Sequence, residues 1–133
     1  MQVLDLDSRS ISLPDASENF PRVLTATVDR PNVCFGLDIS QDLNWFRGHF
    51  PDMPILPGVV QLHWAVIVAR AVFKFPDSPL EFKRLKFKNV VIPPQVLELS
   101  VSVPAPKEVQ FEFYNADKQY SQGRLVFAAS TTC

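Results

Sequence analysis

Residues 46–65 read FRGHFPDMPILPGVVQLHWA and hold both histidines of the 133-residue chain, two of its four glycines and three of its twelve prolines. The chemistry such a stretch could do rests on an imidazole held in a stiffened loop. Pro51, Pro54 and Pro57 restrict φ and bias the residues before them to extended backbone, while Gly48 and Gly58 permit close backbone approach. Bracing of that kind suits fixing one side chain, and the side chain is His49. A fixed imidazole can take a proton from a substrate or serve the loop's own structure, and these residues alone leave both open. Gly58 stands where a helix begins, and there free N–H groups and the positive helix end can stabilise charge developing on a carbonyl oxygen. Close helix–loop packing is the other use of a glycine at that place. His63 is the second titratable group, set inside an otherwise apolar run.

The elements that must position these groups follow from periodicity. Arg22–Val28 alternates Val23, Thr25 and Thr27 against Leu24, Ala26 and Val28, which predicts a strand rich in β-branched residues. Residues 29–32 (DRPN) have turn chemistry. Val33, Phe35, Leu37 and Ile39 share one face of a second strand. Pro57–Gly58 opens a helix, because proline is tolerated at an early helical position. The run 59–73 (VVQLHWAVIVARAVF) is apolar almost all round, which predicts a helix roughly 24 Å long and buried on nearly every side. Pro76 and Pro79 close it. Further strands are expected over Glu81–Val91, Gln95–Val103, Val109–Tyr114 and Gln119–Ala129, the last two joined by the turn Asn115–Lys118. This order predicts an α+β fold, a single antiparallel sheet curled around one long helix. Residues 1–21 read as a leading arm and 22–133 as one domain. A sheet and one helix leave edge strands uncovered, so a dimer is expected.

Composition narrows the function classes. Hydrophobic residues make up 47% and charged residues 20% of the chain, a balance for a folded globular protein, and the net charge of −1 argues for neither nucleic acid nor a membrane surface. Eleven phenylalanines against two tyrosines point to a large apolar interior or an apolar channel. Cys34 and Cys133 lack metal-ligand spacing and read as two unpaired thiols. The opening residues lack a secretory signal pattern, and the longest apolar stretch carries Gln61, His63 and Arg70, so a soluble, cytoplasmic protein is expected.

The segment F46-R-G-H-F-P-D-M-P-I-L-P-G-V59 resembles the signature of the hotdog-fold 3-hydroxyacyl-ACP dehydratases. The resemblance extends to F87-K-N-V-V-I-P-P-Q-V-L-E-L and to the closing strand Gly123–Ala129. It implies the hotdog fold and dehydration of a 3-hydroxyacyl thioester, with no cofactor and no metal. His49 matches the histidine that removes the proton alpha to the thioester. Gly58 matches the residue whose N–H polarises the thioester carbonyl. Fourteen residues past His49 the family carries Glu or Asp to protonate the departing hydroxyl, and this chain has His63. The words Q61-L-H-W64 look more like the aryl-polyene branch, which carries QLDW and includes heteromeric pairs. Two further departures are Asp52 where the family has glycine and Pro93–Pro94 where it has Pro-Gly.

The resemblance also implies partners. The substrate arrives on an acidic acyl carrier protein, for which Arg47, Arg84, Lys86 and Lys88 are the docking candidates. Phe46, Phe50, Pro57 and Val59 are the substrate-binding candidates, while Trp45 and Trp64 serve either an acyl tunnel or the core. The family's histidine and helix acid meet across a two-fold axis, so His49 should face His63 of a partner chain, in a homodimer or a heterodimer. A partner-dependent subunit that completes another chain's site is the second reading. A hotdog thioesterase is the third, though those enzymes lack the GHFP loop.

Overall fold

The computed structural model describes residues 1–6, 9–17, 19–29, 32–40 and 55–128. Two short strands, β1 (Gln2–Leu6) and β2 (Arg9–Leu13), form an antiparallel hairpin. They are followed by β3 (Arg22–Asp29), β4 (Asn32–Ile39), α1 (Gly58–Phe73), β5 (Glu81–Phe87), β6 (Gln95–Ala105), β7 (Glu108–Tyr114) and β8 (Gln119–Val126). The six longer-range strands make one wholly antiparallel sheet in the order β3-β4-β6-β7-β8-β5. The expected helix-and-sheet arrangement is therefore present, and the chain has the hotdog fold.

Alternation explains the core. Phe35, Leu37 and Ile39 of β4, Leu97, Leu99 and Val101 of β6, Val109, Phe111 and Phe113 of β7 and Leu125 of β8 are all buried on the face that meets α1. The phenylalanine excess goes mostly into this interior, where Phe75 stacks on Phe127 with ring centroids 4.0 Å apart. Cys34 is a free thiol, and Cys133 lies outside the described residues.

The hairpin is the main addition to the expected arm. Leu6, Ile11 and Leu13 turn into the core, and β2 packs against α1. Gln2 locks the hairpin to the sheet: its Nε2 donates to the carbonyls of Pro14 (2.8 Å) and Pro21 (3.1 Å), and its Oε1 accepts from the Val23 amide (2.8 Å). Three other expectations change. In β3 an extra residue at Leu24 makes a bulge between Val23 and Thr25, so Val23 packs inward with Ala26 and Val28 rather than with Thr25 and Thr27. The strand expected over Glu81–Val91 stops at Phe87, and Val91 makes only an isolated bridge to Leu56. The helix is not enclosed on every side. Val60, Gln61, Trp64, Ala65, Val68, Ala69 and Val72 form its buried stripe, while Val59 is 70% exposed.

The turn from β6 to β7 offers a stability test. Pro106 is followed by Lys107 at φ 66°, a left-handed position after proline at which a turn favours glycine. Lys107→Gly should stabilise the fold by about 1 kcal/mol, the scale of the left-handed penalty for a side chain. Urea unfolding measures the change, and a midpoint that does not rise refutes it.

Candidate active site

The start of α1 is built by three constraints. The Leu56 amide donates to the Val91 carbonyl at 2.9 Å, which anchors the incoming chain. Pro57 caps the helix in extended geometry (φ −59°, ψ 145°), and its carbonyl accepts from Val60 (3.1 Å) and Gln61 (3.3 Å). No side chain caps this end and no acidic residue occupies the first turn. The amides of Gly58 and Val59 are thus left without a partner among the described residues, at the positive end of the helix.

Gly58 is a glycine for a reason visible here. A Cβ on it would lie 2.7 Å from Cε1 and 2.9 Å from Cδ1 of Phe87, so the phenyl ring of β5 lies directly against the helix start. His63 is five positions further, about 7.5 Å along the axis, and is exposed on the same open face as Val59. Leu62, Val66 and Ile67 share that face and are only partly buried. The structure therefore groups Gly58, Val59 and His63 around one helix start, with Pro57 as its cap.

Gln61 was not a functional candidate, yet it holds this junction. Its side chain is 2% exposed. Nε2 donates to the Leu56 carbonyl at 3.3 Å, and Oε1 accepts from the Ser121 hydroxyl at 2.6 Å. The residue preceding the cap is thereby tied through the helix to β8. Sixty positions separate Gln61 from Ser121, so nothing local in the sequence signals the pair. Gln61→Leu should leave the Ser121 hydroxyl and the Leu56 carbonyl unpaired in the interior. We expect a loss of about 1–3 kcal/mol, read by denaturant unfolding; an unchanged midpoint would contradict the role.

Trp64 belongs to the core. It is fully buried, its Nε1 donates to the Asn19 carbonyl at 3.1 Å, and Phe20 meets it edge-on. Arg84, Lys86 and Lys88 lie on the sheet's outer face, away from α1: Lys86 pairs across from Gln122, Lys88 Nζ donates to Gln119 at 2.6 Å, and Arg84 lines a notch with Gln110 and Gln122. The structure does not bring them together with Gly58 and His63. Trp45, Phe46, Arg47, His49, Phe50 and Asp52 lie outside the described residues. The Pro93–Pro94 bond is cis. Among the described residues no group of three metal-ligating side chains converges, and no helix is long and apolar enough to cross a membrane.

Comparison with known proteins adds the family. A 3-hydroxyacyl-[acyl-carrier-protein] dehydratase FabZ of Natranaerobius thermophilus is 30% identical over 102 residues, which cover 68% of this chain and 72% of that one. The FabZ of Legionella pneumophila (strain Corby) is 33% identical over 106 residues, 69% of this chain and 71% of its own. Among solved structures, the dehydratase heterocomplex ApeI:P from Xenorhabdus doucetiae superposes with a TM-score of 0.72 at 27% identity, covering 81% of this chain and 97% of that one. Residues 25–124 match the family model described as ApeI-like, ApeI dehydratase. With three-quarters of the chain matched by that model, this protein belongs to the ApeI-like family of hotdog dehydratases.

Proposed function

We propose that the chain dehydrates a 3-hydroxyacyl thioester on acyl carrier protein to the trans-2-enoyl thioester. His49 removes the proton alpha to the thioester, and the Gly58 amide stabilises the charge that collects on the carbonyl oxygen. As the C–O bond at the 3-position breaks, its electron pair leaves with the oxygen and the alpha carbanion closes the double bond. His63 gives the hydroxyl its proton, so that water departs. The observation that carries this reading is the Gly58 amide, without a partner among the described residues at a helix start that no side chain caps, with His63 exposed on the same helix. No metal or cofactor is needed for any of these steps.

The test is enoyl formation from a carrier-linked 3-hydroxyacyl substrate, beside a His49→Ala control. The variant should lose about 10²–10⁴-fold in turnover. Equal product from both would remove the reading, and release of free thiol from an acyl-CoA would turn it toward a thioesterase.

A second hotdog chain completes the site in this proposal. All seven residues of β5 are exposed, Phe82 (46%), Leu85 (36%) and Phe87 (52%) among them, and the Phe87 ring lies against the start of α1. A bare edge strand beside an apolar helix face suits pairing with another such chain, and His49 of one protomer would then meet His63 of the other. The same open face supports the partner-dependent reading, in which a different hotdog chain is the mate. Activity restored only on mixing with that chain selects it, and full activity of the homodimer excludes it. Arg47 and the cations Arg84, Lys86 and Lys88 are the groups proposed to meet the acidic carrier, Arg47 by its place beside the His49 loop.

A further inference from the structure

On the sheet face opposite α1, β5 departs from regular pairing. Lys83 stands opposite Arg124 and Lys86 opposite Gln122, so Arg84 and Leu85 together face Gly123. Leu85 takes the inner side: its Cδ2 lies 2.4 Å from where a Cβ on Gly123 would be, and the Phe111 ring lies 3.0 Å from the same point. Only a residue without a side chain leaves room for Leu85 there, and the bulge follows. Arg84 is left at φ 53°, a left-handed conformation that costs any side chain free energy and that glycine adopts freely.

That backbone places the Arg84 side chain at the wall of a notch of about 110 Å³, which it shares with Gln110 of β7 and Gln122, Gly123 and Arg124 of β8. The space is that of three to four waters, about 30 Å³ each. Its polar side chains are two guanidiniums, which only donate, and two primary amides, whose NH2 groups can donate as well. Nearby carboxylates are already engaged. Glu108 bonds Lys83 at 3.1 Å and Arg124 at 3.4 Å, and these cations, Lys83 foremost, hold its carboxyl below the usual value. Glu112 accepts from Gln119 at 2.6 Å. Arg84 and Lys86 have no carboxylate partner among the described residues.

We propose that this notch is a binding site for a compact oxyanion, held between the guanidiniums of Arg84 and Arg124 with Gln110 and Gln122 as further donors. Paired guanidiniums suit phosphate and carboxylate oxygens because each presents parallel N–H bonds. A strained backbone retained at a ligand clamp is a known arrangement. The site is separate from the helix start and does not depend on the dehydration chemistry.

The experiment uses the full chain, isotopically labelled, titrated with inorganic phosphate, with acetate and with chloride at constant ionic strength. Side-chain N–H signals of the two arginines and two glutamines should move and saturate with phosphate, and chloride should give no saturation. Saturation by phosphate alone assigns a phosphate group as the ligand. Equal saturation by acetate assigns a carboxylate group as the ligand. Absence of saturation with both overturns the proposal. Arg84→Gly provides the second arm: relief of the left-handed strain should raise the melting temperature by a few degrees while phosphate affinity falls at least tenfold. An unchanged affinity in that folded variant would also overturn it.

Discussion

His63→Ala is expected to lower the turnover of carrier-linked 3-hydroxyacyl dehydration by about 10²–10⁴-fold, the usual worth of a positioned general acid. Hydroxide is a poor leaving group, and the exposed imidazole is the one titratable side chain on the open face of α1 near the Gly58 amide. His63→Glu should retain most of the turnover, since a carboxylic acid at the same helical position can deliver the same proton. The pair of variants separates chemistry from structure. His63 is not part of the packed stripe of α1, so neither change should move the unfolding midpoint by more than the small effect usual at a surface position. If His63→Ala turns over like the parent chain, the imidazole takes no part in the reaction. If His63→Glu is many-fold faster than the parent, the natural site is an impaired one, and the partner-dependent reading gains.

The second large effect concerns an N–H group rather than a side chain. Removing one oxyanion donor costs about 10²–10³-fold in turnover, and Gly58 can lose its donor by substitution with proline. Proline is tolerated at the first helical residue, and Pro57 already holds the extended conformation that a following proline requires. The obstacle is Phe87, whose ring lies under 3 Å from any Cβ at position 58. The comparison is therefore made in a Phe87→Ala background, where both Gly58→Ala and Gly58→Pro have room. Alanine keeps the amide N–H and proline removes it. A further loss of about 10²-fold on going from alanine to proline would assign the polarising role to that amide. Equal rates would leave the glycine with a packing role only, against the phenyl ring.

Much of this was legible along the chain, for local reasons. The helix and all six strands of the large sheet announce themselves by pattern, and all but the fully exposed β5 do so because one face of each meets the apolar core. The helix start is readable from Pro57–Gly58, since those residues act through their own backbones. Other features depend on partners far away. The hairpin at residues 2–13 has a thin pattern, with Gln2 turned toward the sheet where an apolar residue would be expected, and it makes sense only once the Val23 amide and the carbonyls of Pro14 and Pro21 are in reach. Gln61 looks like a polar interruption of an apolar helix until Ser121 arrives beside it. The bulge that turns Arg84 outward is caused by Gly123 and Leu85 meeting across two strands, and neither residue type alone predicts it.

The bare flank of β5 has a thermodynamic consequence. If a second chain covers it, folding and association share one equilibrium, and the melting temperature must climb with protein concentration by mass action. Dilution should then erode resistance to heat in a protein whose unimolecular contacts are unaltered. Polar substitutions at Phe82 and Leu85 should flatten that concentration dependence.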